Sequence, residues 1–255
     1  MMLSFNKTEI ADLWNNLADR FNTHLPLGKV HPDAAVNIHV GWPVLFQQID
    51  FQAKYLGVSR CKILDFGCGA GEFLKRLHKL GHSVVGIDHS ENMLYAARKF
   101  IPKTIELVHG DHESPVFDDD KYRNHFDIIT AVHSLEWIED IETTFANFHK
   151  VLKPGGIILF AVFPKVHIVD SLKIKDLFED FDSETNPTKG YANFGGVRVP
   201  TYIRDASFFD TYFSSKGYQK ILETYPPYPK YFLQEYNWTA SKEPEMMILS
   251  YRKLK

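Results

Sequence analysis

Apolar residues recur along this chain with two different spacings, and the two spacings alternate. Short apolar runs over Lys62–Phe66, Ser83–Ile87, Ile105–His109, Asp127–Val132 and Ile157–Val162 are typical of buried strands. The stretches between them carry apolar residues three and four positions apart, as helices with one buried face do. The alternation of strands and helices predicts an α/β fold.

Two helices are predicted before the first strand. The first has one apolar stripe and Thr8 as its candidate N-cap, and the second runs from about Pro43 to Tyr55 with Gly57 as its stop. The stripe consists of Ile10, Leu13, Trp14, Leu17 and Phe21. Around the join of the two helices lie His31, His39 and Trp42. We interpret these three as packing or lid residues, with contact to a substrate as the alternative.

The pattern weakens from Phe163 to about Asp205. This stretch is too long for an ordinary connection and too apolar for a linker, so it predicts an inserted lid. Within it, Val197–Ile203 is a candidate strand over the crevice, and Pro200 places that strand at an edge. A helix around Phe208 to Phe213 and strands over Tyr218–Thr224 and Met246–Tyr251 are predicted to complete the core.

Aromatic residues and prolines are concentrated between the last two predicted strands. They predict a rigid pocket wall, with packing against the lid as the alternative. The aromatic residues are Tyr225, Tyr228, Tyr231, Phe232, Tyr236 and Trp238.

The chain has 255 residues, of which 44% are hydrophobic and 24% charged, enough for one sizeable core. We therefore expect a single domain, divided into a helical cap (1–60), a cofactor-binding core (61–163), the lid (164–205) and a closing helix with two strands (206–255). The net charge of −3 comes from basic and acidic residues that are well mixed, which disfavours nucleic acid as a partner.

Two cysteines, Cys61 and Cys68, support neither a disulfide framework nor a zinc site, so no metal is expected. The sequence shows no apolar leader and no uncharged apolar run long enough to span a bilayer. We expect a soluble cytoplasmic protein with no membrane partner. The oligomeric state stays open.

The chemistry is concentrated where the first strand meets the next helix. The turn Gly67-Cys68-Gly69-Ala70-Gly71 lets the backbone adopt φ > 0 and approach a ligand closely, as a cofactor cradle requires. At the end of the second strand, Asp88 is placed to accept hydrogen bonds from both hydroxyls of a ribose. Together these residues predict a nucleoside cofactor.

The spacing of the glycines indicates which cofactor. A dinucleotide fingerprint needs a third glycine at position 72, but Glu72 stands there, and with Asp65 nearby it would repel a pyrophosphate. The spacing of Asp65, Gly67, Gly69 and Gly71 resembles the first motif of the class I S-adenosylmethionine-dependent methyltransferases. Within that family the chain is similar to the small-molecule enzymes of the ubiquinone-biosynthesis type.

The resemblance implies a doubly wound, Rossmann-like, mostly parallel sheet of about seven strands, with amino-terminal helices, a lid after strand five and an edge hairpin of the last two strands. In the family, the positions of His89 and Met93 flank the adenine, and Asp111 and His112 meet its amino group and ring. Met93 as plain core is the alternative. The resemblance thus implies cofactor contacts by Asp65, Gly67, Cys68, Gly69, Gly71, Asp88, His89, Met93, Asp111 and His112, and by Trp14 over the methionine end.

His133 is the candidate catalytic base, because it directly follows the fourth strand, where the crevice opens. Many family members have a histidine where this chain has Trp137, so no role is carried over from that position. No partner for His133 is evident in the sequence. The alternative is that it contacts the methionine portion of the cofactor or packs under the lid.

The resemblance therefore implies methyl transfer from S-adenosylmethionine to a small molecule by in-line displacement, with S-adenosylhomocysteine as product. Two alternatives are a protein that binds this cofactor without catalysis and an NAD-dependent oxidoreductase, the latter weakened by Glu72. The sequence indicates neither the acceptor nor whether its attacking atom is O, N, C or S.

Overall fold

The computed structural model describes residues 6–26, 28–174, 177–182, 184–237 and 244–254, without the side chains of residues 170–174. The strands in this part of the chain are β1 (Lys62–Phe66), β2 (Ser83–Asp88), β3 (Glu106–His109), β4 (Phe126–Val132), β5 (Leu152–Val162), β6 (Phe178–Asp182), β7 (Thr188–Phe194), β8 (Val197–Ile203), β9 (Tyr218–Thr224) and β10 (Met247–Lys253). The α-helices are α1 (Lys7–Leu17), α2 (Pro32–Val36), α3 (Trp42–Leu56), α4 (Glu72–Lys79), α5 (Glu91–Phe100), α6 (Ile141–Val151), α7 (Lys165–Ile174), α8 (Ala206–Ser215) and α9 (Lys230–Glu235).

Seven of these strands form the central sheet, in the order β3-β2-β1-β4-β5-β10-β9. Strands β1 to β5 pair in parallel, whereas β10 runs antiparallel to both β5 and β9. The predicted α/β class, the mostly parallel seven-stranded sheet and the edge hairpin are therefore confirmed. Helices α6 and α8 cover one face with Phe145, Phe148, Phe209 and Phe213, and α3, α4 and α5 cover the other with Leu45, Ile49, Leu74 and Leu94.

The predicted cap of the first helix and the predicted start of β5 are wrong. The cap of α1 is Asn6, not Thr8, because Asn6 and Glu9 form a reciprocal capping box with each other's backbone N–H groups. Strand β5 begins at Leu152 rather than Ile157, because Leu152 already pairs with Phe126 and the four residues before Ile157 bulge out of the ladder.

A second sheet, in the order β6-β7-β8, lies within the inserted segment, which we define as residues 164–205. Strands β7 and β8 form a hairpin through Gly195 and Gly196, whose φ angles of 67° and 98° suit a two-residue turn. The predicted strand Val197–Ile203 is confirmed, and it lies at an edge as Pro200 requires. Strand β8 packs against α1.

The predicted aromatic wall is mostly wrong. Of its described members Tyr228 lines the main cavity, whereas Tyr225 and Tyr231 are exposed. Phe232 is buried against Val30, Ala34 and Ala35 instead. Trp238 lies outside the described residues. No helix in the described part of the chain has the length and apolar character that a membrane crossing needs.

Candidate active site

The main cavity has a volume of about 530 Å³ and opens at the carboxyl ends of β1, β2 and β4. Parallel strands of a doubly wound sheet present their ligands at this edge. The structure brings nearly all the predicted site residues to it. The lining includes Trp14, Asp65, Gly67, Cys68, Gly69, Asp88, His89, Met93, Asp111, His112 and His133.

Gly71 differs from the other predicted residues because it does not border the cavity. It lies at the start of α4, and a Cβ on it would come within 3.0 Å of Ala97 and Ile101. Its small size allows α4 and α5 to pack closely. The prediction that Gly71 contacts a cofactor therefore has no geometric support.

The glycine turn is shaped by two different requirements. Gly67 has φ of 73°, and a Cβ on it would lie 2.5 Å from the Ser134 Cβ, so the turn must pass close to the loop after β4. Gly69 has φ of 53°, but a Cβ there would meet no atom within 4 Å. The space beside Gly69 is thus open for a ligand.

Asp88 braces this turn. Its Oδ2 accepts the Gly69 N–H at 2.8 Å and its Oδ1 accepts the Ser90 N–H at 2.9 Å. Its carboxylate is 8% exposed and borders the cavity. Because each carboxylate oxygen has a second lone pair, Asp88 can still accept hydrogen bonds from a ligand.

Asp65 is buried beneath the same turn and accepts a hydrogen bond from Thr130 Oγ1 at 2.7 Å. Burial raises the pKa of Asp65 to about 7, the Thr130 hydroxyl opposes that rise, and the charge of Asp88 adds to it. A cationic group in the cavity would favour the ionised form of Asp65.

Helix α1 reaches the edge of the cavity through polar contacts with residues that follow β2 and β3. Asn15 Oδ1 accepts hydrogen bonds from Ser90 Oγ at 2.7 Å and from the Asn92 N–H at 3.2 Å. Lys7 pairs with Asp111 at 3.2 Å. Burial opposes ionisation of Asp111, but the Glu113 N–H and Lys7 outweigh it and lower the pKa of Asp111. The amino-terminal helix is thereby joined to two of the strand ends that border the cavity.

Sequence reasoning missed His24, which binds the glycine turn from outside the cavity lining. His24 Nε2 donates to the Ala70 carbonyl at 2.6 Å, and Nδ1 lies 2.9 Å from Glu72 Oε2. The ring also stacks on Phe100 at 4.2 Å. His24 and Glu72 are 48 positions apart in the sequence, so no local pattern could have indicated that they form a pair.

This contact corrects the reasoning about Glu72. Glu72 also pairs with Lys75 and Arg76, at 3.4 and 3.1 Å. Burial opposes its ionisation, but the hydrogen bonds from His24 and Arg76 prevail and lower the pKa of Glu72 to about 2. Its negative charge is therefore balanced within the protein, and Glu72 alone does not exclude a phosphate.

His133 has the partner that the sequence did not show. Its Nδ1 lies 2.6 Å from Oε1 of Glu136, which is 2% exposed. Its backbone is held in the left-handed region (φ 47°), where the carbonyl accepts the Trp137 indole N–H at 2.5 Å. Nε2 of His133 has no hydrogen-bond partner among the described residues, and the ring borders the cavity.

The spacing of this pair was a usable signal. Glu136 follows His133 by three residues, in the short turn Leu135–Trp137 that directly follows His133 and Ser134, so a histidine and a glutamate lie close together in sequence at the end of β4.

The charges around the cavity favour a cationic nucleoside over a pyrophosphate. The lysine and the arginine in the described lining of the cavity already form ion pairs. Lys7 pairs with Asp111 at 3.2 Å, and Arg20 pairs with Asp33 at 2.7 Å. Two carboxylates, Asp65 and Asp88, face the glycine turn. Trp14 Nε1 and His89 Nε2 are buried at the cavity without a hydrogen-bond partner in the described chain. These residues fit a ligand with an ammonium group, ribose hydroxyls and further polar atoms.

The comparisons with known proteins agree with this geometry. Residues 64–160 match a family model described as a methyltransferase domain. The Bacillus subtilis protein YqeM is 32% identical over 174 residues, which are 64% of this chain and 65% of that protein. The ubiquinone biosynthesis O-methyltransferase of Aromatoleum aromaticum is 29% identical over 60% of this chain and 58% of that enzyme. The chain thus spans less than two thirds of either relative.

A solved structure extends the likeness of the fold. The S-adenosylmethionine-dependent methyltransferase from Mesorhizobium loti superposes with a TM-score of 0.64 at 21% identity, over 87% of this chain and all of that one.

Proposed function

We propose that this chain is a class I S-adenosylmethionine-dependent methyltransferase, and that it transfers a methyl group from this cofactor to a small-molecule acceptor. The observation that carries the proposal is the pair of buried carboxylates, Asp65 and Asp88, beside the open space at Gly69. S-adenosylmethionine, when bound, supplies an electrophilic methyl group on a positively charged sulfur.

The residues that would hold the cofactor are those that the resemblance indicates, and their place in the lining of the cavity supports these roles. Asp88 accepts hydrogen bonds from the ribose hydroxyls, and Asp65 favours a nearby ammonium group. Asp111 and His112 bind the adenine, which lies between His89 and Met93. Trp14 closes the opposite side, where its unpaired indole N–H can donate to a polar ligand atom.

The acceptor half of the cavity is mostly aromatic. Trp137, Phe163 and Phe194 border it, and the ring centroids of Trp137 and Phe194 lie 5.9 Å apart. Phe194 belongs to the inserted segment, and we propose that this segment acts as a lid. We likewise propose that the amino-terminal helices act as a cap. Such walls exclude water from the reacting atoms and align the attacking atom.

His133 is the group that would take a proton from the acceptor. Its Nε2 is free of other partners in the described chain and its ring lies at the cavity, so a hydroxyl or amine placed there can lose its proton as it attacks. The Aromatoleum relative is named as an O-methyltransferase, which supports a hydroxyl as the acceptor group.

The basic and acidic residues are well mixed along the chain, which favours a small molecule over a nucleic acid as the substrate. Both cysteines are free thiols, as suits a cytoplasmic protein.

Thermal unfolding with S-adenosylhomocysteine tests the cofactor. The product should raise the melting temperature, whereas NAD and NADP should not, because a ligand that binds only the folded state stabilises it by mass action. Asp88→Asn should lose most of this increase, since each charged hydrogen bond contributes about 1.5–3 kcal/mol. Asp118→Asn, at an exposed surface pair with Lys150, is the control and should keep it.

Methyl-labelled cofactor and a fractionated metabolite extract test the transfer. Label should move into a low-molecular-mass fraction, and only when the protein is present. Stabilisation by the product without transfer to any fraction would instead indicate a binding protein without catalysis. Equal stabilisation of the Asp88 variant and the parent would overturn the cofactor site.

A further inference from the structure

The loop after β4 contains a buried acid that the proposed reaction has not yet used. Glu136 is 2% exposed, and its Oε1 accepts the Phe163 N–H at 3.3 Å as well as facing His133 Nδ1 at 2.6 Å. Its Oε2 is buried without a hydrogen-bond partner in the described chain. Burying a carboxylate costs folding free energy unless the group is paired and hydrogen-bonded.

The Glu136 contact determines which nitrogen of His133 carries the proton. A carboxylate can only accept, so Nδ1 must donate to it. The neutral imidazole then has its lone pair on Nε2, the nitrogen without a partner in the described chain. Glu136 thereby presents His133 in the tautomer that can accept a proton.

A second buried charge lies next to Glu136. Arg204, directly after β8, is 4% exposed, and it borders the same cavity of about 10 Å³ as Glu136 does. Its guanidinium donates to the carbonyls of Ile138 at 3.0 Å and Glu139 at 2.6 Å. Burial lowers the pKa of Arg204 to about 10, and the charge of Glu136 is the largest influence against that fall, ahead of Tyr202, Glu139 and Asp140.

We propose that Glu136 is the positioning residue that holds His133 as the proton acceptor, and that Arg204, carried by the inserted segment, supplies a buried positive charge that complements the Glu136 carboxylate across the small cavity that both border. This proposal rests on the proposed function. It makes the inserted segment part of the proton-accepting machinery as well as a cover for the cavity.

A double-mutant cycle tests the first half. Glu136→Gln keeps the size and the acceptor oxygen but removes the charge, so the rate of label transfer into the acceptor fraction should fall by about 10²-fold at saturating cofactor. His133→Asn/Glu136→Gln should be no slower than His133→Asn alone, because a residue that acts through His133 has no effect without it. Losses that multiply in the double variant would overturn the proposal.

Glu142→Gln is the matched control. Glu142 is a glutamate on the same loop-helix unit, but it is exposed at the start of α6 and does not border the cavity. This variant should transfer label at the parent's rate. The stabilisation by S-adenosylhomocysteine should be equal in Glu136→Gln, Glu142→Gln and the parent, which separates a lost base from a damaged cofactor site.

A measurement without cofactor or acceptor keeps the proposal testable if the transfer reaction itself fails. In ¹⁵N NMR of the cofactor-free protein, the His133 ring is the signal that disappears in His133→Asn. It should show the tautomer protonated at Nδ1, and in Glu136→Gln this tautomer should lose population, because a neutral amide oxygen holds the Nδ1 proton less strongly than a carboxylate does. A ring protonated at Nε2 in the parent, or a tautomer population unchanged by Glu136→Gln, would contradict the assignment.

The role of Arg204 is tested with two variants of similar length, one that keeps the positive charge and one that removes it. Arg204→Lys should keep most of the label transfer and the His133 tautomer population of the parent, whereas Arg204→Met should shift both in the direction of Glu136→Gln. Equal behaviour of the two variants would mean that Arg204 serves only to bind the loop carbonyls, and the second half of the proposal would be wrong.

Discussion

Two histidine–glutamate pairs lie near the cavity, one at the glycine turn and one in the loop after β4, and they differ in what the second nitrogen of the histidine contacts. In the His24–Glu72 pair, the other nitrogen donates to the Ala70 carbonyl, so both ring nitrogens are occupied. In the His133–Glu136 pair, Nε2 has no partner in the described chain and the ring borders the cavity. The same two kinds of side chain therefore fit a latch in one place and, as we propose, a proton acceptor in the other.

The surroundings strengthen the difference. His24 is stacked on Phe100, and its glutamate is shared with Lys75 and Arg76. His133 packs against Phe163 at 4.3 Å, and its glutamate has no lysine or arginine within salt-bridge distance in the described structure. A histidine whose two nitrogens both face protein atoms stabilises a conformation, whereas one with a nitrogen left without a partner retains a group that can react.

The largest expected effect separates the two histidines by rate. His133→Asn should lower kcat for label transfer by roughly 10²–10⁴-fold with cofactor affinity nearly unchanged, the usual range for loss of a general base. His24→Asn should leave kcat at saturating cofactor within a few-fold of the parent. Steady-state kinetics with varied cofactor measure both. If the His133 variant lost cofactor affinity but kept its turnover, His133 would be a binding residue.

Stability should separate them in the opposite sense. His24→Ala removes the donor to a buried carbonyl and the partner of Glu72, so the free energy of unfolding should fall by about 1–3 kcal/mol. The apparent affinity for S-adenosylhomocysteine should fall with it, because the glycine turn loses its outer support. Urea unfolding and calorimetric titration test this. An unchanged unfolding midpoint would contradict the latch.

Acid should weaken the latch through Glu72. Its pKa is lowered to about 2 in the folded protein, so the pair stabilises above the ordinary value of 4.5, and that stability is lost as the pH falls from 4.5 toward 2. Glu72→Gln should therefore cost about 1–2 kcal/mol at neutral pH and flatten the pH dependence of unfolding over that range. A slope equal to the parent's would mean that Glu72 is not ionised by its partners.

Asp65 sharpens the comparison as a cavity acid without a histidine partner. Its pKa is raised to about 7 by burial, so below pH 7 most of it is protonated in the cofactor-free protein. A ligand ammonium favours the ionised form, and the affinity for S-adenosylhomocysteine should rise by up to about tenfold from pH 6 to pH 8, with release of a proton. Asp65→Asn should remove that part of the pH dependence. Titrations in two buffers of different ionisation enthalpy measure the released proton.

The parts of the molecule that sequence could predict are those governed by local pattern. Strands β1 and β9 have the bounds that their apolar runs predicted, and eleven of the twelve predicted site residues border the cavity, because consecutive parallel strands end at one edge. The hairpin of β7 and β8 was missed although Gly195-Gly196 between two apolar runs is a hairpin signal. The His24–Glu72 pair lay beyond any local pattern, since distant packing alone brings it together.

The position of β10 has a consequence for how the chain folds as it is synthesised. Residues 247–253 fill the gap between β5 and β9, so until they leave the ribosome the antiparallel edge of β5 has no strand to pair with. After β5 has been synthesised, its apolar edge therefore stays without this partner strand while about ninety further residues are added to the nascent chain. In this protein, the central sheet can therefore be completed only well after its parallel strands have been synthesised.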